Sequence, residues 1–110
     1  MTLDEYQAAA LTTAQWHGDE LIDLTHWALG VTGEAGEIAE KVKKIIRDAK
    51  GEVSAEAKQE IMKEVGDVLW YLSILSHHLG YKFDVVGQHN IEKLKNRKQQ
   101  NKISGSGDNR

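Results

Sequence analysis

Glu34-Ala35-Gly36-Glu37-Ile38 and Glu64-Val65-Gly66-Asp67-Val68 are two versions of one pattern: an acid, an apolar residue, a glycine, a second acid and a β-branched residue. Side chains three apart share a helix face, so each copy, read as helix, sets two carboxylates side by side. Apolar residues continue beyond each copy at helical spacing, as Ile38, Val42 and Ile45 after the first and Val68, Leu72 and Leu75 after the second. The two acid pairs therefore occupy the same edge of two core-facing stripes. Packed together, such helices bring four carboxylates to one place, which is costly unless a cation is there.

Outward from this pair, the same periodicity predicts an all-α four-helix bundle joined by short loops. Thr2 and Glu5 form a capping box for a first helix with Leu3, Tyr6, Ala10 and Ala14 on its apolar side, ending near Trp16-His17-Gly18. The second helix begins between Asp19 and Thr25 and runs to about Asp48, its core stripe being Leu24, Trp27, Val31, Ala35, Ile38, Val42 and Ile45. Gly51 supplies a stop and Ser54 an N-cap for the third helix, which continues to Leu79 before Gly80. The fourth spans about Phe83 or Asp84 to Lys98. Residues 1–100 form one domain, and 101–110 read as a flexible, polar, glycine-rich tail in which Asp108 and Arg110 are polar enough to fold over a site. Trp70 and Ile74 fall away from the stripe of Ile61, Val65, Val68, Leu72 and Leu75. A lone bundle would expose them, so they predict a homodimer or tetramer.

Composition narrows the function classes. With 40% hydrophobic and 28% charged residues, the chain reads as an ordinary soluble domain. It has no cysteine, which excludes disulfides, thiolate metal sites and a cysteine nucleophile. A formal net charge of −3 argues against a nucleic-acid polymer as partner. No apolar run approaches a membrane span and Met1-Thr2-Leu3-Asp4-Glu5 has no signal pattern, so a cytoplasmic location is expected, with no membrane partner. The absence of proline favours uninterrupted helices.

A single E-x-x-E on a charged helix is ordinarily a solvated edge, here with Glu37 paired to Lys41 one turn on. Two copies in one register argue for more. So do Gly36 and Gly66, each of which costs roughly 1 kcal/mol against alanine inside a helix and implies close approach of a backbone or a ligand. Glu34, Glu37, Glu64 and Asp67 offer only oxygen, which suits Mg²⁺, with Mn²⁺ as an alternative, better than zinc or copper. Neither copy has the histidine of a di-iron bundle.

Gly-Glu-Ala-Gly-Glu at 33–37, Gly-Asp-Val-Leu-Trp-Tyr-Leu at 66–72 and Asn90-Ile91-Glu92-Lys93-Leu94 together resemble the MazG-like nucleoside triphosphate pyrophosphohydrolases, in particular their short, often phage-encoded members. The resemblance covers residues 20 to 98. It departs at Gly33, where the family often has a further glutamate; Glu60, one turn before Glu64, is a possible substitute. It implies an all-α, Mg²⁺-using enzyme that splits a nucleoside triphosphate into monophosphate and pyrophosphate, with Glu34, Glu37, Glu64 and Asp67 as both catalytic and metal-binding residues.

Around these acids stand candidate substrate contacts. Tyr71, four residues after Asp67, reaches the same edge, and Lys44 lies two turns beyond Glu37. Asn90, Lys93 and Arg97 form a polar row on the fourth helix, of which the resemblance implies substrate roles for Asn90 and Lys93. Trp16, His17 and His26 are candidates for the base. Two other readings remain: a dUTPase-like or phosphoribosyl-ATP pyrophosphohydrolase activity on the same framework, and a non-catalytic helical module whose acids face a basic partner.

Overall fold

In a computed structural model, described for residues 1–101 and 103–109, the chain is all-α, with no strand among the described residues. Lys102 and Arg110 lie outside the described residues, and with Arg110 part of the reading of the tail. Helix α1 spans Leu3–Leu11, α2 Glu20–Ala49, α3 Ala55–His78 and α4 Phe83–Gln99.

The ends of these helices follow from local chemistry. Thr2 and Glu5 make the reciprocal capping box. Asp19 caps α2 by accepting from the Ile22 N–H, and Ser54 caps α3 by accepting from Ala57. Helix α1 is shorter than its apolar pattern predicts. The hydroxyls of Thr12 and Thr13 turn back onto the carbonyls of Ala9 and Ala10, and the chain leaves the helix there. At the end of α2 the left-handed conformation is taken first by Lys50 (φ 53°) and then by Gly51 (φ 82°), so the stop begins one residue before the glycine.

Helices α2 and α3, joined by a short loop, pack along each other as an antiparallel hairpin; α1 lies across α3, and α4 touches α1 and α3. One side chain ties three of these helices. Gln7, buried in α1, donates through Nε2 to the carbonyls of Ser73 (2.9 Å) and Tyr81 (3.2 Å), while its Oε1 accepts the N–H of Phe83 at 3.1 Å. Lys82 gives α4 no side-chain cap, so Gln7 fills that role from another helix. Asp4 and Asp84 add a reciprocal pair, each carboxylate accepting the other residue's N–H.

The core sits where α1 meets the hairpin. Ala10, Trp27 and Ile74 form its centre, with Tyr6, Leu11, Ala14, Trp70, Tyr71 and Leu75 packed around them. This corrects the assignment of faces on α3. Ile74 is fully buried, and Trp70 packs on the core and donates its indole N–H to Thr13 Oγ1 at 2.9 Å. Helix α1 and the segment after it cover the side of α3 that the hairpin alone would leave open. Val65 and Leu72, expected inside, are exposed, so the argument for a second copy from Trp70 and Ile74 falls.

The radius of gyration, 16.9 Å, exceeds the ~13 Å of a compact chain of this length. Only one end of the hairpin is covered by α1, and much of the rest stands open.

Candidate active site

Beyond the core, the hairpin brings the two acid motifs together from opposite helices. Carboxylate oxygens of Glu34, Glu64 and Asp67 lie within 4.8 Å of one another, Glu34 and Glu64 half-buried and Asp67 exposed. Glu37, one turn along α2, is exposed and stands outside this trio. The carboxyl of Glu34 is held above its ordinary range, first by partial burial and then by the charges of Asp67 and Glu64. Tyr6 of α1 faces the same acids: burial, and then the charge of Asp67, raise its phenol. This neighbour was hidden in the sequence, where Tyr6 reads only as part of an apolar stripe.

The oxygen-only donors and their short mutual distances fit a small divalent ion. A Cβ at Gly33, Gly36 or Gly66 would meet no protein atom within 4 Å. Of the two reasons expected for Gly36 and Gly66, close approach of another backbone therefore fails, while both border open space in which a ligand would fit. The close approach is at Gly30 instead. A methyl group there would overlap the ring of Tyr71, so the missing Cβ makes room for that ring.

Tyr71 belongs to an aromatic cluster. It lies 6.2 Å from His26 and 4.9 Å from Trp70, ring centre to ring centre. His26 stacks on Trp27 at 4.4 Å, and Trp16 meets Trp27 edge-on at 5.0 Å and stacks on His78 at 5.9 Å. His17 approaches His26 at 5.4 Å. Asp23, buried at the start of α2, accepts the backbone N–H groups of His17 and Gly18 and holds this loop against the helix. Trp16 remains 43% exposed, enough to offer a ring face to a ligand. The candidates Trp16, His17, His26 and Tyr71 fall in one cluster of rings, whereas nothing in the sequence singled out Asp23 and Gly30, whose partners become visible only in the fold.

The remaining candidates are dispersed. Lys44 is exposed and lines a hollow of about 330 Å³ with Lys41, Asp48 and Glu60, toward the loop end of the hairpin. Asn90 and Lys93 line a hollow of about 580 Å³ with Tyr81, Val86 and His89, which none of the four acids lines. There Lys93 pairs with Asp108 at 3.0 Å, and the buried Arg97 donates to the carbonyls of Gly107 and Asp108. The tail from Gly107 to Asp108 thus lies against α4.

Comparison with known proteins agrees with this geometry. The chain is 44% identical to the Gene 37 protein of Mycobacterium phage L5, an alignment covering the whole of both chains. No solved structure matches it. The model of the MazG nucleotide pyrophosphohydrolase domain matches residues 23–101, a span holding both acid motifs and all of the helices that carry them except the first residues of α2. On that match, the chain belongs to the MazG nucleotide pyrophosphohydrolase family.

Proposed function

We propose that this protein is a Mg²⁺-dependent nucleoside triphosphate pyrophosphohydrolase, releasing a nucleoside monophosphate and pyrophosphate. The observation that carries the reading is the convergence of Glu34, Glu64 and Asp67 from two helices in a chain of this family. These three residues would hold the ion, with Glu37 completing the set by a rotamer change from its exposed position. When bound, the ion supplies charge neutralisation for phosphate oxygens and acidifies a water. A triphosphate could not approach three carboxylates without it.

The chain's own groups then divide the work. Without an ion the Glu34 carboxyl is raised by burial and by the charges of Asp67 and Glu64; with an ion held there that shift would reverse, keeping the carboxylate ionised as a ligand. Tyr71, whose ring fills the space left by Gly30, packs in the aromatic cluster, where Trp16 and His26 would offer stacking faces to a base. Asn90, Lys93 and Lys44 are placed on other parts of the surface, and phosphate contacts from them require a second copy or a rearranged tail.

A homodimer or tetramer has support from a different set of residues than the sequence indicated. Met62, Val65, Leu72 and Leu79 are exposed along α3 at spacings of helical repeat, on the side opposite Asp67. A second copy would cover this stripe, and the open shape of the single chain leaves room for it. The proposed substrate is a free nucleotide, not a nucleic-acid polymer or a membrane, in a cytoplasmic setting; no described helix is long and apolar enough to cross a membrane.

The test is a titration of Mg²⁺ against a panel of nucleoside triphosphates with pyrophosphate as the readout. Metal-dependent release of pyrophosphate is expected. Release of inorganic phosphate instead, or no release from any triphosphate, would overturn the reading.

A further inference from the structure

Lys41 sits one turn past Glu37 on α2, yet it reaches across to α3. Its Nζ lies 2.8 Å from Glu64 Oε1 and 3.5 Å from Glu60 Oε2, and it donates to the Glu60 carbonyl at 3.2 Å. Glu60 is itself held by Lys63 at 2.7 Å, so its charge is already shared. The Glu64 side chain is only 15% exposed and that of Lys41 27%, which shields the pair from full solvent screening. Lys41 thus commits one of the two oxygens of a residue in the acid trio.

We propose that Lys41 sets the affinity of the acid centre for a divalent ion, opposing a bare ion and favouring one that arrives with a polyanionic nucleotide. The inference rests on the pyrophosphohydrolase reading. A divalent ion on the second oxygen of Glu64 meets a full positive charge on the first, and the repulsion weakens its binding. An ion carried by a triphosphate has net negative charge, and the same ammonium then attracts it. Lys41 acts through Glu64 and through this field, not on the reacting atoms, and is a positioning residue. Its effect is to keep the centre lightly loaded until substrate is present.

The experiment measures Mn²⁺ binding to the whole protein without nucleotide, from the electron paramagnetic resonance signal of the free ion. Wild type, Lys41→Met, Lys41→Arg and Glu64→Gln are compared. Lys41→Met should bind Mn²⁺ roughly tenfold more tightly than wild type, the scale of one unit charge acting on a divalent ion close by. Lys41→Arg, which keeps the charge, should resemble wild type, and Glu64→Gln should bind more weakly. In steady-state assays Lys41→Met should raise the KM for the metal–triphosphate several-fold more than it lowers kcat. Equal or weaker Mn²⁺ binding by Lys41→Met, alongside weakened Glu64→Gln, would overturn the role of Lys41 and leave the acid centre standing. Equal binding by wild type and Glu64→Gln would remove the centre itself, and with it the proposed function. If Lys41→Met proves unfolded by circular dichroism, Lys41→Gln removes the same charge and carries the same expectation.

Discussion

Two turns of helix separate Ile74 from Asp67, and the two neighbourhoods are built to opposite ends. Around Ile74 and Trp27 nearly all surface is covered; the side chain of Gln7 is satisfied on both its atoms, while the buried indole N–H of Trp27 has no partner among the described residues. Around Asp67 three carboxylates crowd together, one carboxyl is pushed above its ordinary range, and two neighbouring glycines face empty space. The first arrangement supplies stability. The second gives some of it up to crowd like charges together, where the proposed function places a cation. The same two helices do both, so the division can be tested by changing one region and asking whether the other responds.

The largest separation should come from Glu34→Gln. On the proposed function this removes a metal ligand, and pyrophosphate release should fall by more than the roughly 10–100-fold that loss of an outer-shell partner costs. The metal-free protein, relieved of one crowded charge, should melt no lower than wild type at neutral pH. A marked loss of thermal stability would mean that the acids belong to the scaffold, and the contrast would fail.

The converse change is Ile74→Ala. A fully buried isoleucine cut to alanine should cost about 2–5 kcal/mol in denaturant unfolding, through lost transfer energy and a cavity. Mn²⁺ affinity measured on the folded fraction should stay near wild type. Gly30→Ala falls between the regions and should affect both. The added methyl must displace the Tyr71 ring, an overpacking cost of about 1–3 kcal/mol. Because that ring packs in the aromatic cluster proposed to meet the base, KM for the nucleotide should also rise. A stability change with KM untouched would confine Tyr71 to the core.

The sequence placed Ala10 and Trp27 in the core correctly, and why it paired the acids of α3 but misread that helix's core face is visible in α3 itself. Glu64 and Asp67 project together because residues three apart must do so on a helix, and their counterpart on α2 shares the register. Ile61, Met62, Val65, Val68, Leu69, Trp70, Leu72, Ile74 and Leu75 clothe almost every side of α3 in apolar groups. Which side is the core depends on where α1 lies, and the early turn at Thr12 and Thr13 decides that. Trp70 and Ile74 were therefore assigned to the wrong face. Local pattern also paired Lys41 with Glu37, four residues away, whereas the fold offers it Glu64 from another helix. The same limit hid the contact between Gly30 and Tyr71. Each miss involves a partner distant in the chain, and each success a spacing within one helix.

The smallest effect is the dependence of stability on pH, and its sign follows from Glu34. Its folded carboxyl is raised above the ordinary 4.5, so the folded state binds a proton more tightly than the unfolded chain does. That contribution is fully present below the unfolded value and is lost as pH rises through the raised folded value. Melting of the metal-free protein should therefore show a modest decline from about pH 4.5 upward that is absent in Glu34→Gln. On the proposed function Mg²⁺ reverses the sense, by binding the ionised trio and stabilising the folded state by mass action. Its stabilising effect should grow over the same interval in which the metal-free protein weakens. If Mg²⁺ raised the melting temperature equally at pH 4 and pH 7, it would be acting elsewhere on the chain, and the crowded carboxylates would be only a cost.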